Sequence, residues 1–337
     1  MTDTPEELTA DIDHDLLNAF YEAGGQAIGV TNLSQSLGIS FEEIATRVEA
    51  FRAAGYVIGK SHPYGATAFQ MLEVPDRFYH HEIRRRLSTE WLGSQLASYA
   101  VATSTNDAAR VLVADGAPHG TVVVAEEQSE GRGRSGRAWH SPPRLGIYTS
   151  LVLSPPEPIG SVALLSVATA VAVAHTAMKI TGKLARLRWP NDILMSKGKV
   201  AGILAESTDG GGWIVGIGMN VGHAAADFPE ELIGEASSLS LETGHPLSRL
   251  PVLPTLLGTL EEWYDRAFSG DTDAIAEAWR PLSALLSQEV VVFRGDQKSE
   301  GTVKDLSPTD GVLLAGPGGE EWIPAEHVTT IRPVAEE

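Results

Sequence analysis

The sequence predicts a multidomain α+β protein: a small helical module with a hairpin wing, a central mixed-sheet core and a small C-terminal barrel. Three observations predict it. Helical periods punctuated by glycines fill the first stretch, to about residue 72. Helix-like and strand-like segments then alternate from about Ile83 to Leu286. From Gln288 the pattern changes to short strands separated by turns such as Pro317-Gly318-Gly319. On this basis the chain divides into residues 1–76, 77–286 and 287–337.

Composition sets the bounds. A chain of 337 residues can hold two or three domains and at least one large core. Lys and Arg total 25 against 44 Asp and Glu, a formal charge of −19, with only 7 Lys and no Cys. Such a surface does not suit general nucleic-acid or anionic-membrane binding at ordinary salt. It suits a protein kept soluble in high salt, where screening removes self-repulsion, so a salt-loving host is the expectation. Without cysteine there is no disulfide framework and no thiolate metal site. The run Met1–Glu7 is acidic and has no apolar signal-peptide core. The longest apolar run, Val162–Ala174, is too short to span a bilayer and reads as a buried helix. A cytoplasmic protein with no membrane association is expected.

The first module follows from helix punctuation. Asp15–Ala23 is periodic and ends at Gly24-Gly25, and Thr31–Leu37 is stopped by Gly38. Ser40 caps Phe41–Ala54, with Glu43 at the capping-box position and Gly55 as the stop. Tyr56–Lys60 and Ala66–Leu72 flank Pro63-Tyr64-Gly65 as a hairpin, so a winged helix-turn-helix is predicted. DNA binding stays open. The third helix sets Glu42, Glu43 and Glu49 against Arg47 and Arg52, a poor balance for phosphate, and a dimerisation or packing module is the alternative. Pro75–Arg86 reads as a linker. In it His80-His81-Glu82 reads as a solvated helix start rather than a metal site, because adjacent residues do not share a helix face.

In the central region Leu96–Val101 is a strand that leads into Thr103-Ser104-Thr105-Asn106-Asp107. These hydroxyls and the amide either cap the helix Ala108–Ala114 or hydrogen-bond a neutral polar ligand; taken alone, capping is the simpler reading. Thr121–Ala125 is a buried strand. After five polar residues comes Gly131-Arg132-Gly133-Arg134-Ser135-Gly136-Arg137-Ala138-Trp139, which builds no apolar face at either period and should be a loop. Glycine lets backbone N–H groups approach an anion, and guanidinium forks grip phosphate or carboxylate oxygens in pairs. A dinucleotide fingerprint fits badly, because no strand abuts Gly131 and Pro142-Pro143 forbids a long helix afterwards. A Walker A loop is missing, since Ala54 stands where Gly59-Lys60-Ser61 would need its first glycine. The predicted ligand is a phosphorylated small molecule under this loop; a solvated basic loop is the alternative.

Ile147–Leu153 is a strand and Val162–Ile180 a long buried helix. The strand from Arg186 ends in Trp189-Pro190-Asn191-Asp192, placing polar groups and a carboxylate at the rim of the core. Lys197-Gly198-Lys199 is a turn into the apolar strand Val200–Glu206, so Lys199 is either held in a fixed direction for function or an ordinary turn lysine. Trp213–Asn220 carries Gly216 and Gly218, where a flat group could lie against the backbone. Pro246–Ala267 and Thr272–Leu286 read as closing helices. Glu289–Arg294, Glu300–Leu306, Gly311–Ala315, Glu321–Pro324 and Val328–Ile331 then suggest an SH3-like barrel.

Four stretches, in this order, resemble the biotin protein ligases of the bifunctional type with an N-terminal winged helix. They are Gly131–Trp139, Arg188-Trp189-Pro190-Asn191-Asp192, Lys199–Glu206 and Gly216-Ile217-Gly218-Met219-Asn220. The resemblance implies a central domain of the biotin/lipoate ligase type. It implies that biotin and ATP form biotinyl-5′-adenylate, with biotin then passed to a lysine of a biotin carboxyl carrier protein or domain. By the same resemblance Ser104, Thr105, Asn106, Gln128 and Gly202 belong to the biotin pocket. Gly131, Arg132, Gly133, Arg134 and Trp139 belong to the adenylate loop, with Arg132, Gly133 and Arg134 also reaching biotin. Lys199 contacts the biotin carboxylate and the α-phosphate. Asn191 and Asp192 lie near the nucleotide and Mg²⁺, and Asn220 near the adenine. Operator DNA and a ligand-bound homodimer are further implied partners. Ser135 and Arg188 depart from the family, which often has arginine and lysine there.

The chemistry agrees with that implication. Adenylation brings an anionic carboxylate onto an anionic phosphate, so both need neutralising and aligning, which Lys199, Arg132 and Mg²⁺ suit. Asp192 is the nearest candidate to help deprotonate the carrier lysine. A lipoate or octanoate ligase of the same fold, and a protein that is chiefly a repressor, are the alternatives.

Overall fold

Amphipathic helices and short strands build two compact units, residues 8–79 and residues 1–7 with 80–337. The computed structural model describes residues 6–7, 13–155, 162–189 and 191–334; Met1–Pro5, Pro190 and the side chain of Ser135 lie outside them. The first strand, β1 (Glu6–Glu7), belongs to the larger unit.

The smaller unit runs α1 (His14–Glu22), β2 (Ile28–Gly29), α2 (Val30–Leu37), α3 (Phe41–Ala53), β3 (Val57–Ser61) and β4 (Ala68–Glu73). Leu16, Phe20, Leu33, Ile44, Val48 and Phe51 recur at helical spacing and close one core, where Phe51 meets Phe20 and Tyr56 edge to face. The capping box forms as read: Glu43 N–H donates to Ser40 Oγ at 3.2 Å, and Ser40 N–H to Glu43 Oε2 at 2.7 Å. The strands make an antiparallel sheet in the order β2-β4-β3. Both arginines of α3 are engaged internally. Arg47 pairs with Asp13, and Arg52 pairs with Glu49 and donates to the Ile58 carbonyl. Glu42, Glu43 and Glu49 are left exposed.

In the larger unit α4 (His80–Arg84) differs from the expected solvated helix start. Glu82 points inward, fully buried, and pairs with Arg86, because Ile83 beside it belongs to the core. The main sheet contains β5 (Leu96–Val101), β6 (Val122–Ala125), β7 (Gly146–Leu153), β8 (Arg186–Arg188), β9 (Asp192–Met195), β10 (Gly198–Ser207) and β11 (Trp213–Asn220). Its order is β1-β5-β6-β7-β11-β10-β9-β8; β5 and β6 are parallel, and the other pairings antiparallel, which makes it a mixed sheet. The parallel pair needs a crossover, which α5 (Thr105–Ala114) supplies.

The helix α6 (Val162–Thr181) is apolar nearly all round. At 20 residues it outruns the apolar run read from the sequence and is long enough to cross a bilayer by length and composition. Most of it is instead buried against β10 and the later helices, and Thr169 and Thr176 return their hydroxyls to carbonyls one turn back. After the short α7 (Leu239–Thr243), the helix expected from Pro246 begins only at Val252 as α8 (Val252–Phe268). Two prolines, at 246 and 251, keep the preceding segment out of helix. Likewise α9 (Thr272–Leu282) stops short of Leu286, because Pro281 ends its ladder and Ala284 N–H pairs with the Leu187 carbonyl of β8.

Beyond it, β12 (Glu289–Arg294), β13 (Gln297–Ser307), β14 (Gly311–Gly316), β15 (Gly319–Ile323) and β16 (Thr330–Pro333) form an antiparallel sheet in the order β15-β14-β13-β12-β16. Val290, Val291, Val292, Val303, Val312, Leu314 and Ile323 are buried.

Candidate functional site

Register alone lays out a trough on the main sheet. Directly opposed residues of antiparallel strands point to the same face. One row across four strands reads Asp192, Gly202, Gly218, Tyr148; the next reads Leu204, Gly216, Ser150. Glycine at three of these places leaves a floor with no side chains. A Cβ at Gly216 would strike the Asn106 amide, one at Gly218 the Trp139 ring, and one at Gly202 would lie 2.9 Å from that ring. Two side chains therefore cover this floor: an amide at one end and an indole at the other.

The groups that face the floor at the amide end are neutral and mostly buried. Ser104 occupies the N-cap of α5 but makes no capping bond, so the expected cap does not form and that hydroxyl is not spent on the helix. Thr105 N–H donates to Gln128 Oε1 at 2.9 Å, and Gln128 Nε2 donates to Ser141 Oγ at 2.8 Å. Ser150 Oγ lies 2.7 Å from Thr105 Oγ1 and 2.6 Å from Asn106 Oδ1. Asn106 Nδ2 donates to Glu206 Oε2 at 2.7 Å. The structure thus brings Ser104, Thr105, Asn106 and Gln128 together and adds Ser150 and Glu206, which the sequence did not single out. Ser150 lies in a strand buried at all eight positions, where a serine looks like core.

The run Gly131–Trp139 folds as a tight hairpin. Gly133 N–H reaches the Arg137 carbonyl at 2.7 Å, Trp139 N–H the Gly131 carbonyl at 2.8 Å, and Arg134–Gly136 makes the 3-10 turn. Gly131 is needed for close approach, because a Cβ there would sit 2.6 Å from Ser141 Oγ. The hairpin lays Trp139 over Gly202 and Gly218 with its buried indole N–H unpartnered. Arg132 makes a two-pronged ion pair with Asp107 in the first turn of α5. Burial lowers the Arg134 guanidinium from its usual range, with Asp192 opposing the shift.

At the far end of the row Lys199 and Asp192 meet. A bulge between Lys199 and Ala201 re-aims the lysine, whose Nζ lies 2.6 Å from Asp192 Oδ1 and 5.1 Å from the Trp139 ring centroid. Arg188 reaches the other oxygen of Asp192 at 2.8 Å. The backbone around Lys199 is gripped from outside the sheet: Lys199 N–H donates to the Glu235 carbonyl at 2.8 Å, and Ser237 N–H to the Lys199 carbonyl at 2.8 Å. Asn220 Nδ2 donates to the Ser237 carbonyl at 3.0 Å, and Asn191 Nδ2 to the Ile203 carbonyl, so both asparagines hold segments beside the lysine.

Glu242, which no sequence motif singles out, completes this grip. Its carboxylate accepts from Ser196 Oγ at 2.6 Å, Lys197 N–H at 2.8 Å and Ser237 Oγ at 2.8 Å, joining the β9–β10 turn to the Ser237 segment. Burial would raise this carboxyl, but the three hydrogen bonds outweigh it and hold it below the usual carboxylate range. Next to the hairpin, His140 Nε2 lies 2.9 Å from the Asp227 carbonyl, and fully buried His223 stacks on Phe228. Burial first, then His140, lower His223 to about 4, against the opposite pull of Asp227.

Residues 98–222 match the model of the biotin/lipoate A/B protein ligase family. The chain is 35% identical over 254 residues to the bifunctional ligase/repressor BirA of Bacillus subtilis, covering 74% of this chain and 77% of that protein. It is 31% identical to the biotin–[acetyl-CoA-carboxylase] ligase of Paracoccus denitrificans, over 67% of this chain and 97% of the other. Among solved structures, biotin protein ligase from Aquifex aeolicus in complex with biotin and ATP superposes with a TM-score of 0.62 at 28% identity, covering 71% of this chain and 99% of that one.

Proposed function

The chain belongs to the biotin protein ligases, and on that premise we propose how its own residues divide the work. It is an ATP-dependent ligase that activates biotin as biotinyl-5′-adenylate and passes it to a lysine of a biotin carboxyl carrier domain. The observation that carries the assignment of roles is the glycine-floored row, with neutral hydrogen-bonding groups at one end and Lys199 with Asp192 at the other. A urea ring is neutral, so Ser104, Thr105, Asn106, Gln128 and Ser150 suit it better than charges would. Lys199 lies where a carboxylate and an α-phosphate meet, neutralises both and aligns them. Arg132 leaves Asp107 for the ligand, Arg134 adds a second cation, and the hairpin with Gly131, Gly133 and Trp139 keeps water from the mixed anhydride. Asn191 and Asn220 serve by holding β10.

Mg²⁺ suits the phosphates of ATP, and Asp192 is the carboxylate of the row that would hold it. One carboxylate fits an ion carried in on a nucleotide. Among the described residues no group of three His, Asp or Glu side chains forms a metal site by itself.

The three-helix unit with its small sheet fits a winged helix-turn-helix, and the C-terminal sheet an SH3-like barrel, giving domains at 1–76, 77–286 and 287–337. A cytoplasmic place and a ligand-bound homodimer complete the proposal. Operator binding is the second role, favoured by the Bacillus relative that is named a repressor. It requires Arg47 and Arg52 to exchange Asp13 and Glu49 for phosphates.

The test is biotin-dependent ATP–pyrophosphate exchange at high KCl, with lipoate as control. Exchange that requires biotin, ignores lipoate and falls at least about a thousandfold in Lys199→Ala is expected. Absence of biotin-dependent exchange at every salt concentration would sink the assignment.

A further inference from the structure

The Asn106 amide is held by three partners that fix which way it faces. Nδ2 lies 2.7 Å from Glu206 Oε2 and 3.4 Å from the Leu204 carbonyl, and Oδ1 lies 2.6 Å from Ser150 Oγ. An ionised carboxylate and a carbonyl only accept, so the NH₂ must face Glu206 and the oxygen must face Ser150. The Ser150 hydroxyl donates toward Asn106 Oδ1 and also lies 2.7 Å from Thr105 Oγ1, whose own proton faces Gln128 Oε1 at 3.2 Å. One carboxylate at the end of β10 thereby sets which way the buried Asn106 amide faces, with its oxygen toward buried Ser150.

We propose that Glu206 is a positioning residue that fixes the donor–acceptor polarity of the pocket and so selects a urea ring. The proposal rests on the reading of Thr105, Asn106 and Gln128 as the biotin pocket. A urea presents one accepting oxygen between two donating N–H groups, so it binds only where donors and acceptors alternate in the right order. If the amide turns over, its oxygen faces the Glu206 and Leu204 oxygens, acceptor against acceptor, and the NH₂ is turned away from both. Glu206 itself stands at the rim with Arg110 3.4 Å away, and acts on the ligand through Asn106.

The experiment measures steady-state ATP–pyrophosphate exchange in the full-length protein with biotin and ATP varied separately. Glu206→Gln, Glu206→Asp, Asn106→Ala and the double variant Glu206→Gln/Asn106→Ala are compared with wild type. Glu206→Gln keeps the shape but can no longer dictate the amide's orientation. It is expected to raise the KM for biotin about tenfold, or about 1.4 kcal/mol. The KM for ATP and kcat should stay within about threefold of wild type. Glu206→Asp, which still only accepts, should recover part of the loss. In the Asn106→Ala background Glu206→Gln should add nothing, because the group it acts through is gone.

An unchanged biotin KM in Glu206→Gln, with a raised one in Asn106→Ala, overturns the role of Glu206 and leaves the pocket standing. An unchanged biotin KM in Asn106→Ala overturns the pocket itself. A parallel rise in both KM values with a lowered Tm marks Glu206 as a packing residue and also overturns the proposal. Should Glu206→Gln fail to fold, Ser150→Ala removes the donor at the amide's other face, and no rise in its biotin KM overturns the inference.

Discussion

The two ends of the trough solve opposite problems. At the amide end, Ser150, Thr105, Asn106 and Gln128 are uncharged, mostly buried and hydrogen-bonded to one another. At the other end Lys199 and Arg188 are already paired with Asp192, and the hairpin's Arg132 is paired with Asp107. A neutral ligand brings no counter-ion to exchange, so its site gains from being built in advance. An anionic ligand has to take over cations from the chain's own carboxylates. Those pairs keep the cations from standing uncompensated while the site is empty, and part of the ligand's electrostatic gain is spent in breaking them. Recognition at one end is a match of polarity, and at the other an exchange of ion partners.

Acid tests this comparison most severely. The serine, threonine and amide groups of the neutral end do not titrate between pH 4 and 7, whereas His223 lies beside His140 at the hairpin's end. Its folded value of about 4 lies below the unfolded value of about 6.5, so the unfolded chain binds more protons in that window. Stability is therefore complete above the unfolded value and falls as pH drops through the window, by about 3 kcal/mol in all. Urea unfolding at pH 7 and pH 4, compared between wild type and His223→Gln, measures it. The wild type should lose about 3 kcal/mol more than the variant, and equal losses would break the assignment.

A sharper test uses two glycines on one strand. Gly216→Ala displaces Asn106, and Gly218→Ala displaces Trp139. About a thirtyfold rise in the KM for biotin is expected from the first, with the KM for ATP unaffected. The second should cost about as much, but in the KM for ATP and in retention of the adenylate. The same pattern from both alanines would mean that the trough is one site and not two.

Much of this was legible because it is local. The capping box at Ser40, the strand limits of Leu96–Val101 and Trp213–Asn220, and the glycines at 216 and 218 depend on neighbours within a turn or two. What escaped depends on distance along the chain. Asn106 and Glu206 meet across 100 positions, and Glu242 holds a turn some 45 residues before it. Ser104 looked like a cap because capping is the local option, and a sequence cannot tell that Gln128 and Ser150 will converge on the next residues. The apolar period around the prolines at 246 and 251 spells helix on its own, and the prolines override it up to Val252. Glu82 differs from its local pattern for a related reason. A carboxylate in a polar run looks solvated until Arg86, one turn on, turns in to meet it.

The smallest effect concerns Arg132, whose ion pair with Asp107 is exposed at both partners and so easily exchanged. Arg132→Gly removes a cation but leaves the hairpin's backbone bonds at Gly133 and Trp139 in place. The KM for biotin should barely move, while release of preformed biotinyl-adenylate, followed by single-turnover transfer, should quicken about tenfold. Because exposed pairs are screened, that difference should shrink as KCl rises, whereas the penalty of Gly218→Ala, which is steric, should not. If salt moved both variants alike, the exchange of ion partners would not be what distinguishes the charged end from the neutral one.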